Sequence, residues 1–174
     1  MKRIIFLAFV MVFAFTLNAY SEGLKIAVVD LQKALNESEG GKNAKKSLEE
    51  LIKSKQKLID EKGKEIEQMK TELDKQSAVL SKEALQKKQD ELDKKIREYK
   101  RYVQDSQEEV KKKENELTAE ILKDLARIIE KIGQEEGYSL ILEKAKGVVL
   151  FNSEAVDITN RVIERYNKEL KGQQ

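Results

Sequence analysis

Gln76-Ser77-Ala78-Val79-Leu80-Ser81 lies near the middle of a long charged stretch, residues 41–136, and its reading decides the fold. The stretch holds no Pro and no His, and between Gly41 and Gly133 its only Gly is Gly63. Apolar residues recur through it at spacings of three and four. Before the hexapeptide they are Ala44, Leu48, Leu51, Leu58, Ile66, Met69 and Leu73. After it they are Leu85, Leu92, Ile96, Tyr99, Val103, Val110, Leu117, Ile121, Leu125, Ile128 and Ile132. This is the helical period, in a stripe narrow enough for a coiled-coil seam. As one helix the stretch would reach roughly 140 Å at 1.5 Å per residue. Ser81 offers a break instead. It can cap a second helix beginning Lys82-Glu83-Ala84-Leu85, with Glu83 in the first turn where the helix dipole favours negative charge. Folding at the hexapeptide gives two antiparallel helices, an arm roughly 60 Å long.

The segments flanking the arm read as a small base. Ile26-Ala27-Val28-Val29 is an apolar, β-branched run that predicts a strand buried on both faces. Leu31 to Asn36 predicts a short helical turn, and Gly40-Gly41 an elbow where the chain redirects into the arm. Gly137 suits the left-handed position just past the arm's second helix. Tyr138 to Glu143 and Val148 to Phe151 predict two further strands, joined by the short loop Lys144-Ala145-Lys146-Gly147 as a hairpin. A last helix starts near Thr159, with Val162, Ile163, Tyr166 and Leu170 on one side. The fold class is therefore α+β. A base formed by residues 22–40 and 137–174 carries a helical-hairpin arm over residues 41–136.

Residues 1–21 have the form of a cleaved secretory signal. Lys2-Arg3 precedes the apolar run Ile4 to Leu17, and Ala19-Tyr20-Ser21 sets small residues before a cleavage point at Glu22. The run is too short for a membrane span of about 20 residues. Export without any Cys leaves the fold to rest on packing alone. Loss of Lys2 and Arg3 takes the 34 basic residues to 32, equal to the 32 acidic ones. A neutral mature chain argues against nucleic-acid binding, which needs a concentrated basic footprint.

Catalysis finds no support. Without His or Cys the common metal ligands, general bases and thiol nucleophiles are missing. Glu49-Glu50, Glu108-Glu109 and Glu135-Glu136 are neighbours on different helix azimuths, and Lys111-Lys112-Lys113 reads as helix surface. Gly40-Gly41-Lys42 departs from a phosphate loop at Asn43 and lacks the upstream Gly. No enzyme activity, cofactor or metal is expected.

Three short strands and two short helices bury little apolar surface, and an open sheet has edges that invite another chain. Self-association through the base is expected, with Ile26, Val28, Leu140, Leu142, Val149 and Phe151 as interface candidates.

Lys25 to Ser38, which reads Lys-Ile-Ala-Val-Val-Asp-Leu-Gln-Lys-Ala-Leu-Asn-Glu-Ser, resembles the amino-terminal signature of the Skp/OmpH family of periplasmic chaperones. Gly137 to Leu142 and Val156 to Ile163 resemble its closing segments, and the order of elements is the family's over the whole mature chain. The resemblance implies a trimer whose strands form a shared barrel and whose arms enclose a cavity. It implies an ATP-independent periplasmic holdase for unfolded outer-membrane β-barrel precursors. Many members are strongly basic, so this neutral chain is expected to touch membrane surfaces only weakly. Candidate client contacts are Met69, Val79, Leu80, Tyr99 and Tyr102. The seam also meets Lys55, Lys62, Gln76, Ser106 and Lys113, which would soften the arm. The rival readings are an envelope scaffold with one defined partner and a lipid-binding protein.

Overall fold

The computed structural model describes residues 23–145 and 147–172, so the expected leader lies outside the described residues. Strand β1 (Ile26–Val29) runs directly into helix α1 (Leu31–Glu37), whose first turn is capped by the Asp30 carboxylate accepting from the Lys33 amide at 2.7 Å. Ser38 ends α1 and starts α2 (Glu39–Gln76), its hydroxyl accepting from the Gly41 amide at 3.1 Å. The chain therefore turns at Ser38. Gly40 and Gly41 lie inside the helix, a correction to their reading as an elbow. Their lack of a side chain serves close approach: a Cβ on Gly41 would stand 1.6 Å from the Leu35 carbonyl oxygen.

The hairpin forms as the sequence indicates. The Val79 and Leu80 amides bond back to the Gln76 carbonyl, and Ser81 caps α3 (Lys82–Glu136) by accepting from the Ala84 amide at 3.3 Å. At 1.5 Å per residue α2 spans about 57 Å and α3 about 82 Å, so α3 continues past the arm into the base. It ends at Gly137 with φ +70°, and the Tyr138 amide bonds the Gly133 carbonyl at 2.9 Å in a Schellman closure.

Strand β2 (Leu140–Glu143) then pairs with β1 in parallel, Ile26 opposite Leu140 and Val28 opposite Leu142. Ala27 and Val29 pack on Leu125, Ile128 and Ile132 of α3 and on Val162 and Tyr166 of α4 (Thr159–Gly172). The third predicted strand does not form, and neither does its hairpin. Gly147 adopts φ +87°, the Val148 amide turns back to the Ala145 carbonyl, and Leu150 and Phe151 stand in solvent. The turn at Gly147 carries the chain away from the sheet, and the outer edge of β2 stays unpaired among the described residues. The outer edge of β1 is bridged where the Ile158 amide bonds the Val28 carbonyl at 2.9 Å.

A polar knot joins the sheet to the start of the last helix. The Asp30 amide donates to Thr159 Oγ1, and that hydroxyl donates to Asp157 Oδ1. Asp157 Oδ1 also accepts from the Thr159 amide and Oδ2 from Lys144 Nζ. Burial pushes the Asp157 carboxyl up, but these donors together outweigh it and hold the carboxyl below its ordinary value of 3.8. A depressed carboxylate contributes stability that is full above the unfolded-state value and is lost as pH falls through the folded one. Asp157→Ala is expected to cost about 1 kcal/mol near neutral pH, as for a lost helix cap. Urea unfolding should show the difference from the parent disappearing as the pH is brought below the ordinary carboxylate value.

Candidate functional site

The surface available for function is the arm and one face of the sheet. Along the arm the helices are tied by Lys55–Glu109 at 2.6 Å, Lys95–Glu65 at 2.8 Å and Lys88–Glu72 at 3.7 Å. The hydrogen bond from Lys55 to Glu109 holds the Lys55 ammonium above its ordinary value against partial desolvation. The bond from Lys95, then its charge, holds Glu65 low. Such exposed pairs fix register more than they add stability.

The seam follows a slightly different track from the predicted one. Ile59 and Gly63 line it, whereas Leu58 and Lys62 face outward. Lys55, Gln76 and Lys113 are half-buried in it, and Ser106 is buried. The Ser106 hydroxyl has no hydrogen-bond partner among the described residues. Beside it a groove of about 460 Å³ runs past Ile52, Ile59, Tyr99, Val103 and Val110. The pattern itself, continued through Ile59 and Gly63, was the signal that could have found this groove.

The five client-contact candidates do not converge. Tyr99 is half-buried opposite Gly63, where a Cβ would meet its ring at 3.9 Å. Tyr102 is half-buried under the Lys62 and Lys55 ammonium groups, 5.2 and 6.0 Å from its ring centre. Met69 is half-buried about 9 Å nearer the tip, and Val79 and Leu80 lie about 24 Å from Gly63, counting 1.5 Å per residue. Val79 is 82% exposed and Leu80 half-buried.

On the base, the register puts Ile26, Val28, Leu140 and Leu142 on the sheet face opposite the helices. Ile26, Leu140 and Leu142 are 37–45% exposed, while Val28 is already covered within one chain at 4%. Val149 is half-buried and Phe151 is 87% exposed. Among the described residues no His, Cys, Asp and Glu group is arranged to hold a metal, and no helix is long and apolar enough to cross a membrane.

A two-stranded base bearing a long antiparallel helical hairpin defines an arm-bearing α+β protein. The family model described as Outer membrane protein (OmpH-like) matches residues 25–166, and the chain belongs to that family. Among solved structures it is similar to a proposed outer membrane chaperone (OmpH-like) from Caulobacter crescentus CB15. The TM-score is 0.80 at 21% identity, covering 86% of this chain and 88% of that one. That likeness shows the fold. No curated protein matches the chain.

Burying a hydroxyl without a partner is destabilising, by about 1–3 kcal/mol. Ser106→Ala is therefore expected to raise the melting temperature by about 2–4 °C, taking about 1 kcal/mol for a chain of this size. Differential scanning calorimetry of the two proteins checks it.

Proposed function

We propose that the protein is an ATP-independent periplasmic holdase that keeps unfolded outer-membrane β-barrel precursors from aggregating. The observation that carries this reading is the match to the OmpH-like family over residues 25–166, nearly the whole described chain. The arm is consistent with it. Its accessible apolar groups are small in number, spaced along its length and set among Lys stems that can lie against an apolar client while their charges stay in water. Weak contacts of this kind hold a chain without selecting one sequence.

The second part of the proposal is the assembly. Three copies would join through the uncovered sheet face and the Val148–Phe151 segment, with the arms surrounding a cavity. In support, Ile26, Leu140 and Leu142 form an exposed apolar row, and Phe151 stands clear of the single chain. Residues of this kind mark an interaction surface when they are grouped. The leader expected at residues 1–21 would deliver the chain to the periplasm.

Two measurements test the reading. Light scattering after dilution of a denatured outer-membrane β-barrel protein, without nucleotide, should fall in proportion to added mature protein. If no unfolded β-barrel is protected, the holdase is refuted and a scaffold with one partner becomes the better account. For the assembly, Leu142→Asp and Phe151→Asp should each give monomers with unchanged helical circular dichroism in sedimentation. Val28→Asp is a poor probe because that side chain is buried within one chain and its loss would unfold the base. An unaltered trimer in both informative variants would refute the proposed interface.

A further inference from the structure

At the root of the arm, where α2, α3 and α4 converge, lies a pocket of about 420 Å³. Its apolar wall is made by Ala44, Leu117, Ile121 and Leu170. Three carboxylates, from Glu39, Glu120 and Asp124, line it against the single ammonium of Lys171. Glu39 is paired with Lys42 at 3.1 Å and Asp124 with Arg127 at 3.2 Å. Glu120 has no ion pair among the described residues.

The second observation is Tyr166. Its side chain is 97% buried in the core, yet its hydroxyl lies at the pocket and forms no hydrogen bond among the described residues. Gly40 makes room for it: a Cβ there would sit 2.4 Å from the hydroxyl oxygen. The hydroxyl oxygen is not itself enclosed: it opens to the pocket, free to hydrogen-bond a group that enters there. Burial raises the phenol above its ordinary value, and the charges of Asp124 and Glu120 raise it further, so the hydroxyl stays neutral and can accept as well as donate.

We infer that this pocket receives a lysine or arginine side chain of an unfolded polypeptide, its stem on the apolar wall and its cationic head between Glu120 and the Tyr166 hydroxyl. The identity of the occupant rests on the proposed holdase function. The chemistry follows from the pocket: Glu120, the lining carboxylate without an ion pair among the described residues, stands beside an apolar wall and fits a long side chain that is greasy along its length and positive at its end. A small free cation would leave the wall unused.

The test uses the mature protein and a dye-labelled unstructured peptide carrying one lysine, against the same peptide with that lysine acetylated. Acetylation removes the charge and keeps the stem. Fluorescence anisotropy should show the lysine peptide binding about tenfold more tightly, as expected for one charge-assisted hydrogen bond. Glu120→Gln should abolish most of that preference. Tyr166→Phe, which loses a hydroxyl with no internal partner and so keeps the core, should reduce it about threefold. Equal binding of the two peptides by the parent, or a full preference in Glu120→Gln, would overturn the inference. The light-scattering assay runs beside it on the same samples. Failure to protect a client there refutes the holdase, whereas the acetylation difference alone decides the pocket.

Discussion

Two four-residue strands, paired in parallel across more than a hundred residues, are the constraint on which the rest of the molecule depends. Parallel neighbours cannot be joined by a tight turn and need a crossover. Here the crossover is α1, α2 and α3 together, so the whole arm is an insertion between paired strands. Loop closure grows slowly with length, about 0.6 kcal/mol per doubling. A long arm that zips itself into a hairpin therefore costs the base little. The short ladder is secured from both sides, by Ala27 and Val29 against α3 and α4, and at its outer edge by the Ile158 amide and the Thr159–Asp157 knot.

Packing is uneven along this design. The buried apolar side chains of α3 are concentrated at its base end, at Ile121, Leu125, Ile128 and Ile132. Farther out, Leu92 on α3 and Ile66 on α2 are the buried apolar residues of the hairpin. Opening free energy tracks such burial, so the arm occupies the low end of the molecule's local stability and the base the high end. Arg127 and Lys131 of α3, both close to Glu169 of α4, and Arg165 of α4, paired with Glu135 of α3, strap the two helices together where the two regimes meet.

The elements governed by local chemistry were legible in the sequence. Ser81 as a cap, Gly137 in the left-handed conformation and the helix starting at Thr159 each depend on residues within a turn of themselves. What was misread depends on distant partners. Gly40 and Gly41 look like an elbow until Leu35 and Tyr166 are seen pressed against them. Val148 to Phe151 has strand composition, but it does not pair with the outer edge of β2, which stays open among the described residues. The seam track through Ile59 and Gly63, set against Leu58 and Lys62, is a matter of helix phase that the facing helix decides. The root pocket joins residues from three helices and left no trace in any one segment.

The hairpin turn at Gln76–Ser81 lays α2 along the outer part of α3, so within the arm the two limbs of the hairpin match in length while α3 alone runs on into the base. Each residue removed from one helix alone rotates the rest of its stripe by about 100° and misaligns every layer beyond it. Two turns removed from both helices, about seven residues from each, preserve the seam. Evolution and engineering can thus alter this arm only in paired increments, of about 10 Å each. Within that rule its reach is a free parameter, set independently of the sheet and core that hold it.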